Sequence, residues 1–165
     1  MEQHDRQDWA AFRRGEHNAL QHIFERHKDA MFTYCVYMTG NRDDAADIVQ
    51  EAFAKLMQQR SAAPIRSVRN WLFVCTRNLT LNLLKRKAPA ALNGSIPTTT
   101  ENPEIRYFIE KVLDHLTPDE RELILLREQH GFTPSEIAAM LDLSPENVRI
   151  RLYRVRKKMQ SLAKE

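Results

Sequence analysis

Four short segments in the C-terminal third share one pattern that constrains the fold: a capping side chain, then proline, with an acidic residue close behind. Proline suits the first helical position because no amide hydrogen is needed there, and a Ser, Thr or Asn before it can accept a hydrogen bond from the first turn. The segments are Asn102-Pro103-Glu104, Thr117-Pro118-Asp119, Thr133-Pro134-Ser135 with Glu136, and Ser144-Pro145-Glu146. They predict helices over about 103–115, 118–129, 134–141 and 145–163.

Longer apolar patterns with helical spacing occupy the first half of the chain. They predict helices over about 5–14, 16–39, 43–59 and 67–87, with Gly40 ending the second. Residues 88–101 lack periodicity and are rich in Pro, Gly, Ser and Thr, which is typical of a linker. No sustained alternation favours strands. We therefore predict an all-α fold of two small helical domains, 1–87 and 102–165, joined by a flexible linker over 88–101.

Charged residues are segregated along the chain, although the net charge is only +3. Residues 1–51 hold ten acids and six bases, 52–100 hold eight bases and no acid, 101–148 hold eleven acids and four bases, and 149–165 hold seven bases and one acid. Two basic blocks separated by an acidic one indicate two separate surfaces for a polyanion.

The last predicted helix has the most one-sided charge distribution. Five apolar residues fall within a stripe about 80° wide, while Ile150 and Tyr153 lie outside it; the five are Val148, Leu152, Val155, Met159 and Leu162. The rest of its circumference is almost purely cationic. A solvated basic face is one interpretation, but like charges three and four residues apart repel, which favours a face that binds an external anion. Only Asp142-Leu143-Ser144 separate this helix from the predicted helix over 134–141. A connection this short predicts a helix-turn-helix, with the last helix in the major groove of DNA.

Two predicted helices of the first half differ in charge. In the helix over 43–59, Asp44, Asp47 and Glu51 share one face, which is either solvated or a docking face for a basic partner. The helix over 67–87 has no acid and interleaves bases with amides, namely Arg69, Arg77, Lys85, Asn70, Asn78 and Asn82. This combination favours a surface for single strands or flipped bases. Its large apolar residues cannot all be exposed, and we expect most of the following five to lie in the core: Trp71, Phe73, Val74, Leu79 and Leu83.

Several classes of function receive no support. Cys35 and Cys75 lie in apolar helical patterns without metal-ligand spacing, so we interpret them as buried, reduced thiols. The histidines are scattered, and neither a metal site nor a cofactor is predicted. No catalytic constellation or phosphate loop appears, so the protein is expected not to be an enzyme. Because no apolar run approaches the ~20 residues of a membrane span and the first residues lack a signal-peptide core, we expect a cytoplasmic protein.

Three segments in order resemble one protein family. They are D-D-A-A-D-I-V-Q-E-A-F-A-K-L-M from residue 43, N-W-L-F-V-C-T-R-N-L-T-L-N-L-L-K-R-K from residue 70, and L-T-P-D-E-R-E-L-I-L-L-R-E-Q-H-G-F-T-P-S-E-I-A-A-M-L-D-L-S-P-E-N-V-R-I-R-L-Y-R-V-R-K-K-M from residue 116. They are similar to the polymerase-docking helix, the minus-ten-reading helix and the minus-thirty-five-reading domain of extracytoplasmic-function (ECF) sigma factors. The resemblance implies core RNA polymerase and promoter DNA as partners, together with an anti-sigma factor.

The resemblance also implies roles for particular residues. The clamp coiled coil of the largest polymerase subunit would contact Asp44, Asp47, Gln50 and Glu51. The minus-ten element would be read and melted by Arg66, Arg69, Arg77, Asn78 and Lys85, with Asn78 at a pocket for a flipped base and the loop 60–66 helping to choose that base. The minus-thirty-five element would be contacted by Arg149, Arg151, Tyr153, Arg154 and Lys157.

Two features depart from the family pattern. Asn82 stands where an aspartate is usual, and the following residues include fewer arginines. The linker 88–100 has no acid, although many relatives have an acidic one. The alternative function is a stand-alone helix-turn-helix regulator whose N-terminal domain senses a signal or dimerises. The acid-free block over 52–100 argues against this alternative, because a sensing domain has no need of a second nucleic-acid surface.

Overall fold

The computed structural model describes residues 1–62, 64–87 and 111–163. Within these ranges all regular structure is helical and there is no strand, so the predicted all-α class is confirmed. The chain divides into two compact units, Met1–Gly94 and Ser95–Glu165. The linker predicted over 88–101 and the start of the helix predicted over 103–115 lie outside the described residues. The exact domain limits therefore stay a prediction.

Four α-helices form the first unit. They are α1 (Glu2–Arg14), α2 (His17–Thr39), α3 (Arg42–Gln58) and α4 (Val68–Arg86), and a 3-10 turn over Gln59–Ser61 follows α3. Helix α2 packs against each of the other three. Its inner face is completely buried at five positions: Ile23, Met31, Tyr34, Cys35 and Val36. Helix α2 is therefore the centre of this unit's core.

Local sequence explains where these helices begin and end. Gly15 and Gly40 follow α1 and α2 with φ of 110° and 68°, a left-handed conformation that only glycine adopts readily. The Asn41 side chain accepts hydrogen bonds from the first turn of α3, and the Ser67 hydroxyl accepts one from the first turn of α4. The predicted bounds of α2 to α4 differ from these by one residue at most. Helix α1 begins three residues before the predicted start at Asp5.

The core face of α4 differs from the expectation. Of the five large apolar residues predicted to be mostly buried, only Phe73 is in the core, whereas Trp71, Val74, Leu79 and Leu83 are half-buried. That prediction was wrong because the buried stripe follows a four-residue spacing. Its members are Val68, Leu72, Thr76 and Thr80.

Small side chains suit the close packing of α4 on α2. The Thr80 hydroxyl donates to the Thr76 carbonyl at 2.8 Å and lies 3.6 Å from the Cys35 sulfur. The Thr80 hydroxyl is thus satisfied inside the core, where an unpaired hydroxyl is costly. Binary hydrophobicity could not identify this stripe, because threonine counts as polar in it.

Both cysteines are free thiols. Cys35 is buried as predicted, and burial raises its pKa to about 12 against the smaller opposing effect of the Thr80 hydrogen bond. Cys75 is only half-buried, contrary to the expectation, and burial still raises its pKa. Because the thiolate is the reactive form, neither cysteine is activated as a nucleophile at neutral pH.

A buried charge network joins α1 to α2, and the sequence reading missed it. Asp5 is 2% exposed, and one of its carboxylate oxygens lies 2.8 Å from Nε2 of the buried His27. The other oxygen accepts a hydrogen bond from Arg26 at 2.9 Å, and Arg26 also donates to Asp8 at 2.5 Å. Burial opposes ionisation of Asp5, but His27 and Arg26 together outweigh it and hold the pKa of Asp5 below its ordinary value.

Three helices of the second unit start at the predicted prolines. They are α5 (Pro118–Ile124), which continues as a π-helical turn over Leu125–Gln129, α6 (Pro134–Leu141) and α7 (Pro145–Leu162). Thr117 and Thr133 each form a capping box with the glutamate three residues later, and the Ser144 hydroxyl accepts a hydrogen bond from the Asn147 amide. The core is made by apolar residues of all these elements, including Leu126, Phe132, Ile137, Val148 and Leu152.

This unit also buries two charged residues that the sequence did not reveal. Arg121 and Glu122 are 4% and 3% exposed. The guanidinium of Arg121 donates to the Leu113 carbonyl at 2.9 Å and lies 4.0 Å from the Asp114 carboxylate. Burial lowers the pKa of Arg121, and the Asp114 charge opposes that effect.

Among the helices that the structure describes, none combines the length and the apolar character needed to cross a bilayer. Within the same residues, no three His, Cys, Asp or Glu side chains are grouped so that they could hold a metal ion.

The buried network gives a prediction about stability. We expect Asp5→Ala to lower the free energy of unfolding at neutral pH by about 3 kcal/mol, because it leaves the buried His27 without its carboxylate partner and removes one of the two carboxylates that bind Arg26. The control Asp29→Ala, at an exposed position of α2, is expected to change it by less than about 0.5 kcal/mol. Urea unfolding followed by circular dichroism measures both.

The same pair of variants tests the pKa direction. Because the folded-state pKa of Asp5 is below the ordinary 3.8, its stabilising contribution is present above that pH and is lost as the pH falls below it. The stability difference between wild type and Asp5→Ala should therefore shrink on acidification below about pH 4. A difference that stays constant down to pH 2 would contradict this assignment.

Candidate nucleic-acid interface

Helix α7 presents the cationic face that the sequence predicts. Val148, Leu152 and Val155 are buried, whereas Met159 and Leu162 at the far end are half-buried. All five residues predicted to contact the minus-thirty-five element are exposed, and they are Arg149, Arg151, Tyr153, Arg154 and Lys157. Tyr153 is 61% exposed and the neighbouring Ile150 is 46% exposed. Large apolar groups so exposed on a basic helix are available for contact with a ligand.

Two bases of α7 have structural partners instead. Arg156 donates to the Glu128 carboxylate at 2.5 Å, and Lys158 donates to that of Glu120 at 2.6 Å. Glu120 also accepts from the Thr117 amide at 2.9 Å, so it ties the start of α5 to α7. Burial opposes ionisation of Glu120, but Lys158 and Thr117 together lower its pKa. The cationic face of α7 therefore contains two kinds of base: bases that pair with acids of the same unit, and bases that remain available to bind a ligand.

The available bases are ordered by local contacts. Arg151 donates to the Asn147 side chain at 2.8 Å, one helical turn earlier. The Lys157 ammonium lies 5.6 Å from the centre of the Tyr153 ring, within cation–π range. These contacts orient side chains that are otherwise free in solvent.

The turn before α7 has the geometry of a helix-turn-helix. Helix α6 ends at Asp142, whose φ of 54° is the only positive value among the described non-glycine residues. Aspartate tolerates this conformation better than most residues do. The Leu143 amide then donates to the Ala138 carbonyl at 2.9 Å, and Ser144 caps α7. Only Leu143 and Ser144 lie between the C-cap Asp142 and Pro145, the first residue of α7.

The acidic face of α3 is largely accessible. Asp47, Gln50 and Glu51 are exposed, as a docking face requires. The Glu51 carboxylate lies 3.7 Å from the Lys55 ammonium. Asp44 is less accessible, with 19% of its side chain exposed, and it forms an ion pair with Lys87 just after α4.

Helix α4 supplies the residues predicted to contact the minus-ten element. Asn78 and Lys85 are exposed, and with the equally exposed Asn82 they form one stripe spaced at four and three residues. Arg69 and Arg77 are half-buried, so only part of each side chain is accessible. Arg66, in the connection before α4, is exposed. The structure thus brings Asn78 and Lys85 together and leaves Arg66 at the other end of the helix.

A groove of ≈ 690 Å³ runs between α3 and α4. One wall contains the acids of the α3 face, and the other contains the distal end of the α4 stripe. Its lining residues include Asp44, Asp47, Glu51, Asn82, Lys85 and Arg86. The predicted polymerase-docking face and the predicted minus-ten face are therefore adjacent in the first unit. The sequence could not place them side by side, because they are on separate helices.

The chain matches two protein-family descriptions. Residues 23–89 match Sigma-70 region 2, and residues 109–159 match Sigma-70, region 4. Together the matches cover more than half of the chain.

Relatives and solved structures agree with these matches. The chain is 26% identical over 151 residues to the ECF RNA polymerase sigma factor SigE of Mycolicibacterium smegmatis, covering 84% of this chain but 59% of that relative. It is 26% identical over 164 residues to the RNA polymerase sigma factor CarQ of Myxococcus xanthus, covering 93% of this chain and 94% of CarQ. The chain thus spans less than two thirds of SigE and nearly all of CarQ.

A structure of CnrH in complex with the cytosolic domain of CnrY aligns with a TM-score of 0.77 and 25% identity, covering 98% of this chain and 97% of that one. RpoE of Bartonella quintana, solved in complex with the anti-sigma factor NepR, aligns with a TM-score of 0.71 and 22% identity, covering 87% and 96%. The latter likeness supports the fold alone.

The helical fold, the helix-turn-helix and the two family matches define a transcription initiation subunit of the sigma-70 type. Within that class, the chain belongs to the ECF subfamily of RNA polymerase sigma factors. The predicted family is therefore confirmed, and with it the role of directing RNA polymerase to promoters. The alternative of a stand-alone regulator does not account for the region 2 match.

The division of the α7 bases gives a prediction from two adjacent lysines. Lys158→Ala should lower the free energy of unfolding of the second unit by up to about 1 kcal/mol, because it removes the partner of Glu120 at a partly exposed site. Lys157→Ala should have a smaller effect that does not depend on pH in the acidic range, because its contact is with the Tyr153 ring and not with a carboxylate. The Lys158 effect should be present at pH 7 and fade as the pH falls below the ordinary Glu120 value of 4.5. Equal effects of both substitutions in thermal unfolding would contradict the division.

Proposed function

We propose that the two units divide promoter recognition between them. The first unit docks on core RNA polymerase and opens the minus-ten element, and the second unit reads the minus-thirty-five element as a duplex. The observation that carries this proposal is that each unit exposes its own surface suited to nucleic acid: the α4 stripe of two amides and Lys85 in the first unit, and the cationic face of α7 in the second. A protein that only bound duplex DNA would need one of them.

The docking role rests on the charge and exposure of α3. Asp47, Gln50 and Glu51 can meet a basic coiled coil such as the clamp of the largest polymerase subunit, and Asp44 contributes at the edge of the groove. Exposed acids on a regular helix give a partner a fixed pattern of charge, which favours orientation and association rate. The chemistry of RNA synthesis belongs to the polymerase.

The minus-ten role rests on α4. Asn78 has donors and an acceptor that suit a base edge, and no hydrogen bond within the described residues involves its side chain. Lys85 and Arg66, together with the accessible parts of Arg69 and Arg77, supply positive charge for the phosphates of a single strand. The half-buried Trp71, two turns before Asn78 on the same helix, provides apolar surface. A flipped base needs both a hydrogen-bonding edge and such a surface.

The minus-thirty-five role rests on the order of residues along α7. In a helix-turn-helix the N-terminal residues of the second helix approach base edges most closely. Arg149 is placed to grip a guanine, followed by Arg151, Tyr153 and Arg154. Lys157 lies about two turns beyond Arg149 and suits a phosphate.

An anti-sigma factor is a further proposed partner. RpoE was solved with the anti-sigma factor NepR, and CnrH was solved with the cytosolic domain of CnrY. For this chain the groove between α3 and α4 is a suitable surface, because occupying it would cover the docking acids. We place the protein in the cytoplasm, where polymerase and promoters are located.

Run-off transcription with purified core polymerase tests the proposal. The wild-type chain should program core enzyme to start at its promoter, and Asp47→Lys with Glu51→Lys should lower core affinity by at least about tenfold through charge reversal. The control Glu25→Lys, at an exposed position of α2, changes charge outside the proposed face. Unchanged core affinity at low salt in the double variant, with helicity retained, would remove α3 from the interface. Tight binding to duplex DNA without any programmed initiation would overturn the proposal.

A promoter library separates specificity from simple attraction on α7. Arg149→Ala should flatten the preference among minus-thirty-five sequences, since a bidentate arginine–guanine contact gives about 1–3 kcal/mol of discrimination. Lys157→Ala should weaken binding to every sequence equally and reduce the salt slope by about one unit. Equal losses on every sequence for both substitutions would mean that this face grips only the DNA backbone.

A further inference from the structure

Helix α1 holds the connection between α3 and α4 from outside. The Arg13 guanidinium donates from Nε to the Arg60 carbonyl at 3.1 Å and from a terminal nitrogen to the Ala62 carbonyl at 3.4 Å. One planar side chain thus spans two carbonyls of the connection, 47 and 49 residues away in sequence. The rigid fork of arginine fixes the direction of both bonds.

Two further contacts fix α1 against the same turn. The Arg60 guanidinium lies 5.5 Å from the centre of the Phe12 ring, and Phe12 is itself buried. Gly15 ends α1 with φ of 110°, and a Cβ there would lie 3.2 Å from an Arg60 terminal nitrogen. A side chain at position 15 would therefore be strained and would press on Arg60. These contacts place Arg13 beside the 3-10 turn over Gln59–Ser61.

An open hollow interrupts the packing between α1 and the next part of the connection. A hollow of ≈ 310 Å³ separates α1 from Pro64 and Ile65, and Arg13 lies on its α1 side. Close-packed side chains usually determine a loop's position, but here an open space intervenes. Directional hydrogen bonds from Arg13 therefore have a larger share in fixing the backbone than they would in a filled interface.

We infer that Arg13 is a positioning residue for minus-ten specificity. It acts through the carbonyls of Arg60 and Ala62, which set the course of the chain towards Ile65, Arg66 and the start of α4. This inference rests on the proposed function, in which the connection helps to choose the flipped base. Helix α1 then positions the connection between α3 and α4, and Arg13 itself does not contact DNA.

The test compares two adjacent arginines of α1 in the intact protein bound to core polymerase. Arg13→Ala removes the fork. Arg14→Ala removes the same charge from a side chain that is 66% exposed, pairs with Glu16 at 3.2 Å and forms no hydrogen bond or ion pair with the described residues of the connection. Arg13→Lys keeps the charge but lacks the planar fork. Each protein initiates on one library of minus-ten variants and on one library of minus-thirty-five variants.

The readout is the ratio of initiation on the preferred and substituted minus-ten sequences within one preparation, so the fraction of folded protein cancels. Arg13→Ala should change this ratio by about fivefold, the scale of one hydrogen bond, and Arg13→Lys should change it in the same direction. Arg14→Ala should match wild type. Minus-thirty-five preferences and core affinity should be unchanged in all three variants, which a general loss of structure would not allow.

Three results would overturn the inference. The first is a wild-type minus-ten ratio in Arg13→Ala. The second is an equal change of the ratio in Arg13→Ala and Arg14→Ala, which would make the charge of α1 responsible and not the contact of Arg13 with the connection. The third is full rescue by Arg13→Lys, which would make charge alone sufficient. Asn78→Ala in the same library tests the proposed function separately. If Asn78→Ala alters the ratio and Arg13→Ala does not, only the inference about Arg13 is wrong. If neither variant alters the ratio, this surface does not read the minus-ten element.

Discussion

The burial of α2 is the constraint on which the first unit depends. Its inner face, including Ile23, Met31 and Tyr34, is completely removed from solvent by α1, α3 and α4. Each such side chain contributes about 1.5–3 kcal/mol on transfer from water, so the three surrounding helices have little freedom to rotate. That fixed rotation determines which residues of α3 and α4 remain outside. The acids of α3 and the amide stripe of α4 are exposed because the opposite faces of these helices are committed to α2.

Periodicity and capping chemistry were sufficient to predict most helices of the described chain. The proline-led starts at Pro118, Pro134 and Pro145 were correct because each cap is a local interaction between residues three positions apart. The exposed face of α7 was also predictable, since charge and apolar residues separate cleanly around it. Local sequence signals were therefore sufficient to predict the helix starts of the second unit within the described residues.

What could not be predicted depends on contacts between distant residues. The core stripe of α4 runs through Thr76 and Thr80, whose burial is set by how closely α4 approaches α2. The buried pair of Asp5 and His27 joins residues 22 positions apart, and neither residue type signals burial by itself. The same applies to Lys158, which appeared to be one more base of a uniform face until its partner Glu120 was located. The exposed face of α7 could be predicted from the sequence, but the pairing of its charges with acids on other elements could not.

The ion pairs on α3 affect how easily a basic partner could bind to this face and leave it again. Asp44 already has a cation in Lys87, and Glu51 has one in Lys55, whereas no ion pair involves Asp47 in the described part of the chain. A basic partner arriving on this face must therefore exchange cations at two positions and gains a new pair chiefly at the third. Such exchange costs little because surface pairs contribute little by themselves. When the partner leaves, Lys87 and Lys55 can pair with Asp44 and Glu51 again. Release therefore exposes no uncompensated cluster of negative charge.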